Sequence, residues 1–288
     1  MMLLLPAPTA PLRWSAGAAS VFLPFIFVAS LYVIPSRVRA LPRDDPSHVV
    51  ARFAALGAVS LLAPVPLLVL LRTGGGGGPS AWATLGVGVD CNGILALAPV
   101  ALTATLFLGP IVEFAVTSCA CVTAHTAQHP LIIARNLAVA PIAEEWVFRA
   151  SLLPLLILAG ASHGGALLCA AVLFGAAHAH HYADYRKRGF SPRSAAAAIA
   201  GVLVFTSAFA LITAHAFLRT GSIVGVVGAH ALANSLGPPS FAFVSDEQHR
   251  ARILVACSYA VGICAFFFLV ATDSWVPQNV GSCALSPP

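Results

Sequence analysis

Apolar runs of membrane-spanning length organise this chain from end to end. A hydrocarbon core of about 30 Å is crossed by about 20 helical residues. Eight stretches of roughly that size follow one another: Ser15 to Pro35, Val49 to Leu71, Asn92 to Ser118, Val139 to Ala159, His163 to Ala179, Ala195 to Phe217, Gly221 to Leu236 and Ala251 to Ala271. The fifth and seventh are short. The pattern predicts an all-α, polytopic integral membrane protein with about eight transmembrane helices. It reads as one membrane-embedded domain over residues 1–288, with a motif core at about 131–240. Composition agrees: 59% of residues are apolar and 9% charged, against about 45–50% and about 25% in soluble domains. So little polar surface cannot clothe a water-soluble body. The same figures exclude disordered, collagen-like and disulfide-scaffold classes.

The net charge of +5 is a matter of topology. With the runs numbered one to eight, the loops after odd runs hold or adjoin Arg37, Arg39, Arg43, Arg52, Arg135, Arg186, Lys187, Arg188, Arg193, Arg250 and Arg252; the other side has Arg13, Arg72 and Arg219. Eleven against three places the odd loops in the cytosol and both termini away from it, and argues against a nucleic-acid footprint. The first run is read as a retained span, since no small-residue cleavage site follows it. Gly74 to Pro79 reads as a flexible connector. The seven cysteines, Cys91, Cys119, Cys121, Cys169, Cys257, Cys264 and Cys283, contain no C-x-x-C pair, so neither a disulfide framework nor a structural zinc site is expected.

Run four carries Glu144, Glu145 and Arg149 inside an apolar helix. Each costs about 2.5–3.5 kcal/mol at mid-membrane, which demands a reason. Glu145 and Arg149 are an i, i+4 pair able to neutralise each other, while Glu144 points about 100° away and is free to face something else. With Pro141 in a first helical turn, both carboxylates would feel the positive end of the helix dipole. The bland alternative is a packing ion-pair cluster.

Two further pairs share a helical face at i, i+4 spacing: Phe174 with His178 at the end of run five, and His230 with Asn234 at the end of run seven. Run four enters from the cytosol, and runs five and seven return to it. Glu144, His178, His230 and Asn234 therefore fall at one membrane depth. Glu113, near the cytosolic end of run three, is a lesser candidate at that depth; His180 and His181 are expected at the rim. His215 lies near the opposite end of run six, as a local hydrogen-bonder.

The ordered strings E144-E145-x-x-x-R149, F174-x-x-x-H178 and H230-x-x-x-N234, together with the loop Leu41-Pro-Arg-Asp-Asp-Pro-Ser-His48, closely resemble the eukaryotic type II CAAX prenyl proteases. These are the Ras and a-factor converting enzymes, within the abortive-infection-type intramembrane protease superfamily. The resemblance covers most of the chain; the glycine run and the tail after Asp273 diverge. It implies an endopeptidase of the endoplasmic reticulum membrane, with its chamber open to the cytosol. The substrates would be farnesylated or geranylgeranylated CAAX proteins such as small GTPases, from which it removes the last three residues.

The resemblance also apportions roles. Glu144 and His178 would hold and deprotonate a water, His230 and Asn234 would donate to the oxyanion, and Glu145 with Arg149 would orient Glu144. No cofactor is expected. A zinc reading, with Glu144, His178 and His230 as ligands and water as the fourth, stays open, although no H-E-x-x-H is present. Cys169, about 13 Å along a helix from His178, is too far away to be a nucleophile paired with it. Two rivals stand beside the protease: a transporter, which would carry polar groups at several depths, and a non-catalytic scaffold with the same fold.

Overall fold

The computed structural model describes residues 9–73, 80–87, 93–117, 129–239 and 252–276. Its main elements are α1 (Ala10–Val33), α2 (Pro46–Leu62), α3 (Val65–Thr73), α4 (Leu97–Leu106), α5 (Leu108–Thr117), α6 (residues 130–158), α7 (His163–Ala177), α8 (His181–Lys187), α9 (Pro192–Thr220), α10 (Ile223–Leu236) and α11 (Arg252–Thr272). No strand occurs among the described residues. Helix starts follow local chemistry. Asp45 accepts the Ser47 N–H at 2.9 Å with Pro46 in the first turn of α2, and serines 162 and 191 cap α7 and α9 in the same manner. Helix α9 ends where Gly221 adopts φ 61°, a left-handed conformation suited to glycine.

Every apolar run contributes helix to the fold, and among the described residues five to six helices meet the length and hydropathy of a crossing, with α6, divided by its π-turns, outside that count. Five segments are long and apolar enough to cross: Ala10–Val33, Pro46–Thr73, His163–Lys187, Pro192–Thr220 and Arg252–Thr272. A sixth exists if α4 and α5 count as one span, but they meet at a 69° bend beside Phe107. Helix α10 has 14 residues, about 21 Å of rise, short of the hydrocarbon thickness. Run five does not stop at Ala179: a 3-10 turn at His178–His180 carries it into α8.

Helix α6 is the axis of the bundle, packed by α1, α2, α7, α9 and α10. Its Val147, Phe148, Ala150, Leu152, Leu153 and Leu155 are fully buried. Helix α7 lies along α9, and a Cβ at Gly175 would collide with Ser207 Oγ; these helices approach at a distance that only glycine permits. The outward faces carry Phe25, Leu61, Val204, Ile253 and Phe267, all exposed, the apolar surface that a lipid environment requires. Cys169, Cys257 and Cys264 are free and exposed; Cys91, Cys119, Cys121, Cys283 and the run Gly74 to Pro79 lie outside the described residues.

Candidate active site

Two widened π-helical turns, Arg135–Val139 and Trp146–Leu152, interrupt α6 and flank the ordinary turn Ala140–Glu145 that carries both carboxylates. Single π-turns of this kind gather at functional sites. Helix α6 begins at Pro130, so Pro141 is not in a first helical turn and the expected dipole effect on the carboxylates does not apply. Pro141 has a different consequence. In the widened register the Ala140 N–H reaches back to Arg135 O, and residue 141 would serve Asn136 O in the same way. Proline has no N–H to give, so that carbonyl is open, and the Asn234 side-chain amide donates to it at 2.9 Å.

The carboxylates divide their work. Glu145 is wholly buried: its Oε2 faces Arg149 Nε at 3.0 Å, and its Oε1 accepts from His230 Nδ1 at 2.7 Å. Arg149 donates from Nη2 to Thr213 Oγ1 at 2.6 Å and lies over the Phe174 ring, 4.3 Å from its centroid. The i, i+4 pair read from the sequence thus forms, but its contact is with His230, not with Glu144. Glu144 Oε2 lies 3.8 Å from His230 Nε2, and its side chain is 19% exposed.

Both rings are fixed in orientation. The Phe174 carbonyl can only accept, so His178 Nδ1, 2.9 Å away, carries its proton there. The Glu145 carboxylate draws the His230 proton to Nδ1 by the same logic. With Nδ1 of each ring committed, Nε2 is the ring nitrogen left for the chemistry of the cavity. The Phe174 ring packs against both, with centroid separations of 4.9 Å to His178 and 6.2 Å to His230, and rests on Phe148 at 5.0 Å. This explains why a phenylalanine sits four residues before the histidine.

Glu144, His178, His230 and Asn234 line a single cavity of about 350 Å³. Its apolar wall includes Phe27, Leu31, Phe53, Leu56, Phe205 and Phe209. His180 and His181 line it too, so they belong to the chamber. Glu113 does not; it accepts a hydrogen bond from Tyr259 at 2.7 Å. His215 packs its ring against Trp275, 5.9 Å between centroids, away from the cavity. Among the described residues no three His, Cys, Asp or Glu side chains are grouped so as to hold a metal ion.

Sequence reasoning gives no place in the site to Arg43, Arg52 and Arg135, which it reads as topological charges, or to Asn136, yet all four line the cavity. Arg135 joins Asp44 at 2.7 Å and Asn136 Oδ1 at 3.0 Å. His48 Nδ1 faces the carbonyls of Leu41 and Pro42, both at 3.2 Å, and so braces the loop that carries Arg43 and Asp44. The Arg135 hydrogen bond holds the Asp44 carboxyl below its ordinary value, and burial, with Arg52 and Arg135 nearby, lowers Arg43 to about 10. The one signal in the sequence is that the loop and the Arg-Asn pair stand beside the motifs.

The family described as type II CAAX prenyl endopeptidase, Rce1-like, matches residues 126–236. CAAX prenyl protease 2 of Homo sapiens is 30% identical over 288 residues, covering 94% of this chain and 85% of that protein. The probable CAAX prenyl protease 2 of Schizosaccharomyces pombe is 29% identical over 247 residues, 81% of this chain and 85% of that protein. CAAX prenyl protease 2 of Arabidopsis thaliana is 31% identical over 137 residues, 47% of this chain and 42% of that protein. No solved structure matches the chain. With the human relative aligned along nearly its whole length, and the three motifs facing one chamber, the chain belongs to the Rce1-like family of type II CAAX prenyl endopeptidases.

Proposed function

We propose that this protein hydrolyses the peptide bond after the prenylated cysteine of a CAAX C-terminus and releases the last three residues as a tripeptide. Its substrates are farnesylated or geranylgeranylated proteins, small GTPases among them. The observation that most supports this reading is the meeting of Glu144, His178, His230 and Asn234, from three helical segments, in one cavity.

Glu144 is the base. At 3.8 Å from His230 Nε2 it is too far for a direct hydrogen bond, and one water oxygen can contact both. Glu144 takes a proton from this water as its oxygen attacks the carbonyl carbon, while the His178 Nε2 lone pair helps to hold the water in place. His230, which enters the cycle as an imidazolium protonated at both ring nitrogens beside the Glu145 carboxylate, and the second N–H of Asn234 donate to the oxyanion. Glu145, bonded to Nδ1, stabilises the imidazolium. The proton held on Glu144 passes to the departing amine nitrogen, and the peptide bond breaks.

The chamber is assigned to the cytosolic side of the endoplasmic reticulum membrane. Arg43, Arg52 and Arg135, which belong to the cation-rich side, line it.

The test is tripeptide release by purified protein in nanodiscs, using farnesylated against unprenylated CAAX peptide. Glu144→Gln and His178→Ala are each expected to lower turnover by about 10²–10⁴-fold, and His230→Ala by about 10²–10³-fold, with folding retained. Full turnover in Glu144→Gln or His178→Ala would end this assignment of roles, and absence of turnover by the unaltered protein would leave the scaffold reading. Turnover is also expected to survive in protein shown by elemental analysis to be metal-free. Loss on chelation with recovery on added zinc would install the Glu144, His178 and His230 metal set instead.

A further inference from the structure

One wall of the cavity carries three arginines that the chemistry above does not use. Arg43, Arg52 and Arg135 all line it, from the loop before α2, from α2 and from α6. Of the carboxylates around it, Asp44 is bonded to Arg135 at 2.7 Å and Asp184 to His181 at 3.2 Å, while Glu144 lies on the same cavity and attracts Arg52 through space. Among the described residues neither Arg43 nor Arg52 has a carboxylate within ion-pair distance, and Arg43 Nε is buried without a hydrogen-bond partner. Three guanidinium groups crowded at a partly desolvated wall repel one another. Burial lowers the Arg43 pKa most, and the charges of Arg52 and Arg135 lower it further. An anion entering the cavity would relieve that repulsion and satisfy the orphaned donor.

We propose that Arg43 and Arg52 form the subsite for the C-terminal α-carboxylate of the substrate, with Arg135 and its Asp44 partner fixing the wall behind it. This rests on the endopeptidase reading and deepens it. A peptide cut three residues from its end places a free carboxylate about 10 Å from the scissile carbonyl in extended form. Such an enzyme needs a device that measures this distance, since otherwise any bond near a prenyl-cysteine would serve. Arginine fits that purpose, because its planar fork matches a carboxylate and stays charged at every physiological pH. Because the cavity that holds Glu144 also holds this cationic wall, one extended tripeptide can engage both. Exclusive release of a tripeptide is then the consequence of two fixed points, a water at Glu144 and a carboxylate at Arg43 and Arg52.

The experiment compares two farnesylated CAAX peptides that differ only in a free C-terminal carboxylate or a carboxamide. On the unaltered protein the amide is expected to lose about 10- to 100-fold in kcat/KM, mostly in KM, the scale of a charge-assisted hydrogen bond removed from a shielded site. In Arg43→Gln and Arg52→Gln the acid-to-amide ratio should shrink toward one, and Arg43→Lys should restore part of it. Binding of the same two peptides to the Glu144→Gln protein reads the preference without turnover. If the unaltered protein cuts neither peptide, the endopeptidase reading fails while this binding comparison still judges the subsite. Equal affinity for acid and amide would overturn the proposal. So would Arg43 and Arg52 variants that weaken both peptides by the same factor, since that would show a general field or a structural role.

Discussion

Glu145 and Arg149 sit inside the bundle, with side-chain exposures of 0% and 1%, whereas Arg219 and Asp273, which tie the end of α9 to the residues after α11, are 20% and 40% exposed. Chemically the pairs are alike. The rim pair is partly exposed on both partners, so neither charge is fully stranded when the other leaves, and a typical exposed pair contributes about 0–1 kcal/mol. The inner pair has given up its water. It is held by a wider set of contacts: His230 on one carboxylate oxygen, Thr213 on the guanidinium and the Phe174 ring beneath it. A chain gains little stability from such a pair relative to apolar residues of the same volume. What the inner pair secures is the position of an imidazole in the chamber.

The sharpest way to break this contrast is to remove single partners. Glu145→Gln or Arg149→Met alone is expected to cost about 3–5 kcal/mol, because the remaining charge is buried without its counterion. The double variant should recover most of that stability. It should not recover peptide cleavage, since His230 would still lack the carboxylate on Nδ1. Arg219→Ala is expected to cost no more than about 1 kcal/mol. Thermal unfolding in detergent checks all four, with peptide turnover measured on those that fold. A stable and active Glu145→Gln, Arg149→Met double variant would show that the inner pair is packing only.

A smaller effect tests how the pair is tethered. Thr213 Oγ1 accepts from Arg149 Nη2 at 2.6 Å and passes its own proton to the Phe209 and Ala210 carbonyls, at 3.2 and 3.3 Å. Thr213→Val keeps the shape and deletes the acceptor. It should cost about 1–3 kcal/mol, the desolvation penalty of a buried charged donor left unsatisfied, with Thr213→Ser restoring most of it.

The same contrast marks what the sequence could disclose. Apolar runs are read one residue at a time, so the helical membrane fold is legible from hydropathy alone. The number of crossings is not. Whether Ile223–Leu236 or the α4–α5 pair traverses a bilayer depends on a 14-residue length and a 69° bend that tertiary packing sets. Within the site, i, i+4 spacing foretells Glu145 with Arg149 and Phe174 with His178, because neighbours on one helix face are a local matter. The bond from Glu145 to His230 spans 85 residues, and that from Asn234 to Asn136 spans 98. No local rule reaches so far. The two π-turns have no sequence mark of their own, and Pro141 takes on meaning only once the register around it is known. In the sequence Arg52 is a topological charge alone, since nothing in its immediate neighbours shows that α2 turns it into the cavity.

Asp44 with Arg135 offers the mildest version of the comparison, because it is a rim pair beside the chamber. Its side chains are 56% and 11% exposed, and it bridges 91 residues to clasp the loop 41–45 onto α6. The Arg135 hydrogen bond lowers the Asp44 pKa in the folded protein. A lowered carboxyl contributes stability that is fully present above its unfolded value of about 3.9 and is lost as pH falls through the folded value. Acidification from pH 7 to pH 5 should therefore leave the clasp closed, and only more acid solution should release it. Asp44→Asn removes the charge at every pH. It is expected to raise hydrogen exchange in residues 41–45 at pH 7 with little change in global unfolding, since an exposed partner contributes little to the whole. A clasp that opened between pH 7 and pH 5 would mean that His181, which lines the same cavity and is joined to Asp184 at 3.2 Å, holds the loop in place of Asp44. The rim would then share the inner site's reliance on a histidine–carboxylate contact.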